Sequence, residues 1–167
     1  MTVLYCLVQS SRTAVSAPAG GLPGAGRPRA VPLEGGLTAI VATLPDHLYA
    51  PDVVNEKLRD MNWVSEAAIG HEGVLETIMK TGATVLPMKL LTLFSGDARM
   101  TSELARQRKA LLAAATRVAG CEEYGLRVAP IDASPAARAA DRPASGLAFL
   151  ERKKQVRDDA RERSALR

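Results

Sequence analysis

The residues best equipped for chemistry in this 167-residue chain are the adjacent pair His71 and Glu72, a glycine-rich stretch over residues 20–26, and the thiols Cys6 and Cys121. Neighbours on a helix point about 100° apart, so His71 and Glu72 cannot both face one proton or one metal ion. Leu75 stands where a zinc-binding H-E-x-x-H helix needs its second histidine. Ser65, Glu66 and His71 form no nucleophile–base–orienter set, and the sequence holds no G-x-S-x-G elbow. The glycine-rich stretch lacks the Lys-Ser/Thr end of a phosphate loop, contains Pro23, and precedes a strand instead of a helix. It reads as a flexible linker. Two histidines and two cysteines, none of them clustered, predict neither a zinc site nor a disulfide framework. The chain is therefore expected to have no catalytic set, no cofactor and no metal.

These residues need elements to hold them. The chain is 47% apolar but only 4% aromatic, so its core must come mainly from Leu, Val, Ile, Met and Ala. A net charge of +4 is concentrated in mixed-sign stretches such as residues 151–163, which keep a surface solvated and do not argue for nucleic acid. No apolar run reaches the ~20 residues of a bilayer span, and residues 3–8 are too short for a signal peptide, so a cytoplasmic protein is expected.

The run Val3-Leu4-Tyr5-Cys6-Leu7-Val8 reads as a buried central strand. Residues 10–32 are Ser, Ala, Gly, Pro and Arg, a mobile loop that can bury little apolar surface. Residues 30–33 and 37–44 flank Glu34-Gly35-Gly36 and make a hairpin. A short polar helix is expected over 52–59. A longer one over 62–80 carries the apolar stripe Val64, Ala68, His71, Leu75 and Ile78, which makes His71 a hydrogen-bonded core or interface histidine. Trp63, in its first turn, is either core or an anchor at a partner surface. Residues 84–87 and 89–94 are strand-like. Ser95 or Asp97 caps a helix running to about residue 119, with Met100, Leu104, Leu111, Ala115 and Val118 inward. Residues 122–131 alternate as a strand, 132–145 form a second loop, and a charged helix over 146–163 buries Leu147 and Leu150 at its start.

In this order the segments resemble a known family. The opening strand and the hairpin segment Leu33-Glu34-Gly35-Gly36-Leu37-Thr38-Ala39-Ile40-Val41 are similar to those of the GvpL/GvpF gas-vesicle proteins. Trp63 followed by His71-Glu72-Gly73-Val74-Leu75 resembles that family's W…HE-x-V-L helix. Val85-Leu86-Pro87-Met88-Lys89, leading to Thr92 and Phe94, resembles its V-L-P-x-(R/K) segment. Glu123-Tyr124-Gly125-Leu126-Arg127-Val128 and the helix start at Gly146 complete the series. One departure is Leu90-Leu91, where many relatives carry Phe-Gly; the change is expected to keep a strand there.

The resemblance implies an α+β fold: an N-terminal mixed sheet with two long helices over residues 1–120, then an incomplete ferredoxin-like second domain over 121–167. It implies a non-enzymatic assembly or minor structural protein at the gas vesicle, binding the hydrophobic shell subunit and other accessory proteins. Trp63, His71, Lys89, Phe94, Tyr124 and Arg127 are the candidate partner-binding residues, and the segments 89–94 and 122–131 are candidate sheet edges for docking. A regulatory or ligand-binding module unrelated to gas vesicles is the alternative. Limited proteolysis is expected to cut within residues 132–145 and to leave a stable fragment ending near residue 120.

Overall fold

The computed structural model describes residues 1–9, 20–121 and 145–165. They fall into two compact units, Met1–Ala119 and Gly120–Arg167. The first unit is a five-stranded sheet with helices. Its strands are β1 (Thr2–Gln9), β2 (Arg29–Pro32), β3 (Leu37–Thr43), β4 (Thr84–Pro87) and β5 (Leu93–Phe94). Its helices are α1 (Asp46–Tyr49), α2 (Pro51–Lys57), α3 (Met61–Met79) and α4 (Asp97–Val118). The sheet runs β2-β3-β1-β4, with β5 lying beyond β4 along the same side of β1. Every pairing is antiparallel, which corrects the expected mixed sheet.

The apolar run at the N-terminus becomes the central strand because both of its faces are covered. One face of the sheet meets α3 in a core of Val3, Tyr5, Cys6, Val8, Ile40, Trp63, Ala67, Val74 and Ile78. The other meets α4 through Leu4, Leu7, Ala39, Val41, Met100 and Leu104. Strict alternation would send Tyr5 and Cys6 to opposite faces. The pairing of β1 with β3 shifts register between Leu4 and Cys6, a bulge at Tyr5. As a result Tyr5 and Cys6 both sit on the α3 side, while Leu4 and Leu7 keep the α4 side.

The hairpin forms at the expected place. Gly35 and Gly36 take positive φ of 82° and 80°, and Leu33 N–H donates to Leu37 carbonyl at 2.9 Å. The loop expected over 10–32 ends earlier than the composition suggests. Among its described residues Leu22 is buried in the core, and Arg29–Pro32 is β2. Arg29 is anchored as well: its guanidinium meets the Asp97 carboxylate at 2.7 and 2.9 Å, and Thr2 Oγ1 donates to the same carboxylate at 2.8 Å. Asp97 thus ties β1, β2 and α4 together and provides no cap. Its carboxyl is held below the usual range by the Thr2 hydrogen bond first and then by Arg29.

The helix expected over 52–59 is α2, opened by Pro51; the four-residue α1 ahead of it carries no signal in the sequence reading. The side chain of Asp60 caps α3 by accepting from Asn62 N–H at 2.8 Å. The buried stripe of α3 is Trp63, Ala67, His71, Val74, Leu75 and Ile78; Val64 and Ala68 are only half-buried, so the face is rotated from the expected one. Of the inward residues expected on α4, Met100, Leu104 and Ala115 are buried and Leu111 and Val118 are half-buried.

The strand expected over 89–94 is a correction. Only Leu93–Phe94 pairs; Lys89–Thr92 is a turn closed by Thr92 N–H donating to Lys89 carbonyl at 3.1 Å. Leu91 sits at φ 61°, the sole non-glycine residue with positive φ among the described residues. A turn with positive φ at its third residue favours glycine there.

In the second unit, α5 (Gly146–Ala165) starts where Ser145 Oγ accepts from Ala148 N–H at 3.0 Å. Leu147 and Leu150 are half-buried and Phe149 is exposed under the Lys153 ammonium, 5.5 Å from its ring centre. Apart from Ser145, the expected strand 122–131 and loop 132–145 lie outside the described residues, and Tyr124 and Arg127 with them.

A left-handed leucine costs about 1–2 kcal/mol that glycine avoids. Leu91→Gly is therefore expected to be more stable than Leu91→Ala by about 1 kcal/mol in chemical denaturation, although both lose the same half-buried side chain.

Candidate functional site

On the α3 side, residues 20–28 pass over the helix as a strap whose fixing points are a set of buried polar aromatics. Leu22 N–H donates to Tyr5 Oη at 3.0 Å, and Tyr49 O–H donates to Pro23 carbonyl at 2.7 Å. Gly26 N–H donates to Thr43 carbonyl at 2.8 Å. A hollow of about 360 Å³ runs along the strap, lined by Gly20, Gly21, Leu22, Ala25, Gly26 and Arg27. Burial pushes the Tyr5 and Tyr49 hydroxyls up, Tyr49 to about 12. This contradicts the flexible-linker reading of residues 20–26: one leucine and three backbone hydrogen bonds hold them. Only Leu22 in a run of small residues signals this in the sequence.

His71 lies beneath this strap, 5% exposed. Its Nε2 donates to Met88 carbonyl at 3.1 Å, and its ring lies 5.5 Å from that of Tyr5 at a 45° tilt. Nδ1 is buried with no partner among the described residues. Burial holds the imidazole below its ordinary range, with the Met88 contact acting weakly the other way. Glu72 is raised, first by burial and then by Glu76. His71 is thus a neutral donor that fastens α3 to the end of β4. Among the described residues no group of three or more His, Cys, Asp or Glu is placed to hold a metal ion, and no helix is long and apolar enough to cross a membrane.

Trp63 is 9% exposed, and its Nε1 is buried without a partner among the described residues. Lys57, at the end of α2, places its ammonium 5.3 Å from the Trp63 ring centre and 5.6 Å from that of Tyr49. Beside this lid the corner between α2 and α3 exposes Leu58 at 45% and Met61 at 52%. Lys89 is exposed at the turn, and Phe94 is half-buried on the α4 side. The structure places Trp63 and His71 on one buried helix face, with Lys89 next in chain to the residue that His71 holds. It does not gather the candidate residues into one cluster.

The edges of the sheet are blunted by the same device on both sides. Because Leu33 N–H points to β3, antiparallel alternation turns the N–H groups of Val31 and Arg29 inward and leaves Ala30 and Pro32 facing out. Met88 N–H donates to Tyr5 carbonyl at 2.9 Å, so on β4 the outward positions are Val85 and Pro87. Proline has no N–H, so β2 keeps one outward donor, Ala30, and the opposite side keeps two, Val85 on β4 and Leu93 on β5. Strand addition to these edges has few hydrogen bonds to gain. On the α4 side a small apolar pocket of about 60 Å³ lies between Leu33, Leu37, Leu104 and Leu111, bridged by Arg108 to Glu34 at 3.2 Å.

Compared with known proteins, residues 1–167 match the family described as gas vesicle synthesis protein GvpL/GvpF. No curated protein and no solved structure matches the sequence.

The strap rests on the one glycine of α3 that has no room for a side chain. A Cβ on Gly70 would collide with the Gly21 carbonyl. In an open helix, glycine to alanine stabilises by about 1 kcal/mol. Gly70→Ala is expected instead to destabilise by about 1–3 kcal/mol, read from the denaturation midpoint, whereas Gly73→Ala, which meets nothing within 4 Å, is expected to be neutral or stabilising.

Proposed function

Since the chain belongs to the gas vesicle synthesis family GvpL/GvpF, we propose that it works in gas vesicle formation as a binding protein that holds the hydrophobic shell subunit during nucleation or growth, without turning over a substrate. The observation that carries this reading is the family match over residues 1–167. It also sets aside a regulatory module unrelated to gas vesicles.

The mode of binding follows from what the surface offers. Among the described residues a proline faces outward on each of the strands β2 and β4, which favours engagement of the partner by side chains over an added strand. Leu58 and Met61 form the exposed apolar corner, with Trp63 beneath it under the Lys57 ammonium. An apolar subunit gains by covering such side chains, each worth roughly 1–3 kcal/mol when fully removed from water. Other accessory proteins of the vesicle are partners in the same reading, and the place of action is the gas vesicle itself.

Purified shell subunit is expected to be retained by the immobilised full chain, and the Leu58→Glu/Met61→Glu double variant is expected to lose at least about tenfold in retention. Deleting the gene is expected to abolish or distort vesicles. No retention by the unaltered chain, together with normal vesicles after deletion, would count against the proposal.

A further inference from the structure

We infer that His71 is an acid-sensitive latch on the segment joining β4 to β5: protonation of its imidazole lets residues 88–92 leave α3 and the sheet while the remaining strands stay paired. The geometry is one-sided. Nε2 donates to Met88 carbonyl, and Nδ1 is buried with no partner among the described residues. In the neutral ring Nδ1 carries only a lone pair. In the imidazolium it carries a second N–H, together with a charge, at a buried position without an acceptor, and that is costly. Moving out to water satisfies both nitrogens but breaks the tie to Met88.

The segment that His71 holds is weakly fastened elsewhere. Its links to β1 are Met88 N–H to Tyr5 carbonyl at 2.9 Å, Leu4 N–H to Thr92 carbonyl at 3.0 Å, and the two-residue strand β5. It also contains Leu91 in the left-handed region, a strain that release removes. The ionisable groups on the surrounding elements are Tyr5 and Cys6 of β1, Asp46, His47 and Tyr49 of α1, Asp52, Glu56 and Lys57 of α2, Arg27 of the strap and Lys89 of the turn, with Glu66, Glu72 and Glu76 on α3 itself. Tyr5 alone among them meets the ring, and burial raises both its hydroxyl and the Cys6 thiol, the latter to about 12, so neither supplies a negative charge near neutrality.

The sign follows from burial. The closed form resists the proton and the open form accepts it at the ordinary histidine range, so opening is favoured as pH falls below about 6.5 and gains up to about tenfold per pH unit. Opening uncovers Leu90 and Leu91, which in the closed form pack against the α3-side core.

Amide hydrogen exchange of the full chain by NMR, corrected for intrinsic rates, tests this between about pH 7.5 and about pH 5. Protection of the Leu4, Met88 and Thr92 amides is expected to fall by up to about tenfold per unit below about 6.5, while amides joining β1 to β3 keep theirs. His71→Gln, which can still donate to Met88 but does not titrate, is expected to hold the three amides constant. Titration of the His71 ring in the same samples serves if that variant does not fold: a ring that titrates below about 6.5 together with the loss of protection supports the latch. Constant protection in the unaltered chain, an equal loss in His71→Gln, or a parallel loss at every amide would overturn it.

Discussion

The whole first unit depends on one strand being buried from both sides. Residues Val3 to Val8 of β1 are fully enclosed, with α3 against one face of the sheet and α4 against the other. An apolar strand with two dry faces has no solvent side to settle for, so its register is tightly set. The bulge at Tyr5 then decides which residues face which helix. It gives the α3 side two consecutive residues, Tyr5 and Cys6, and so brings the Tyr5 hydroxyl under the strap and its ring against His71. Strap, histidine and β4–β5 turn are all positioned from that single irregularity.

The elements with strong local signals were legible in the sequence. The apolar run of β1, the Gly35-Gly36 hairpin and the periodicity of α3 and α4 each follow from local chemistry. Features that depend on a distant partner were not legible. The buried stripe of α3 runs through Trp63 and Ala67, on a helix whose Gly70 meets the strap, a contact that no periodicity in residues 62–80 reveals. Arg29 looked like a loop residue because its partner, Asp97, lies 68 positions away. Leu90-Leu91 read as strand because leucine carries no turn signal, although the chain there takes the conformation that glycine favours. Of the candidate site, Trp63 and His71 were placed on the correct helix, but their burial leaves the exposed corner to Leu58 and Met61, which the sequence did not single out. Tyr124 and Arg127 lie outside the described residues.

An open strand edge risks indiscriminate pairing with other chains. Outward-facing prolines on both sheet edges reduce that risk at the backbone. Under the proposed function side chains then carry recognition, which permits selectivity through shape and charge. Lys57 over Trp63 and Tyr49 fits this arrangement: it keeps a charged group over aromatic surface beside the two exposed apolar residues.

Trp63 is the single tryptophan of the chain and sits on the α3 side, which makes it a natural reporter of coupling through β1. Its fluorescence during denaturant unfolding of Leu7→Ala, a truncation on the α4 side, measures whether the strand joins the two layers. If β1 does so, the Trp63 transition moves down by about 2–5 kcal/mol and coincides with loss of helical circular dichroism. A Trp63 transition left in place while the helical signal falls would contradict the account.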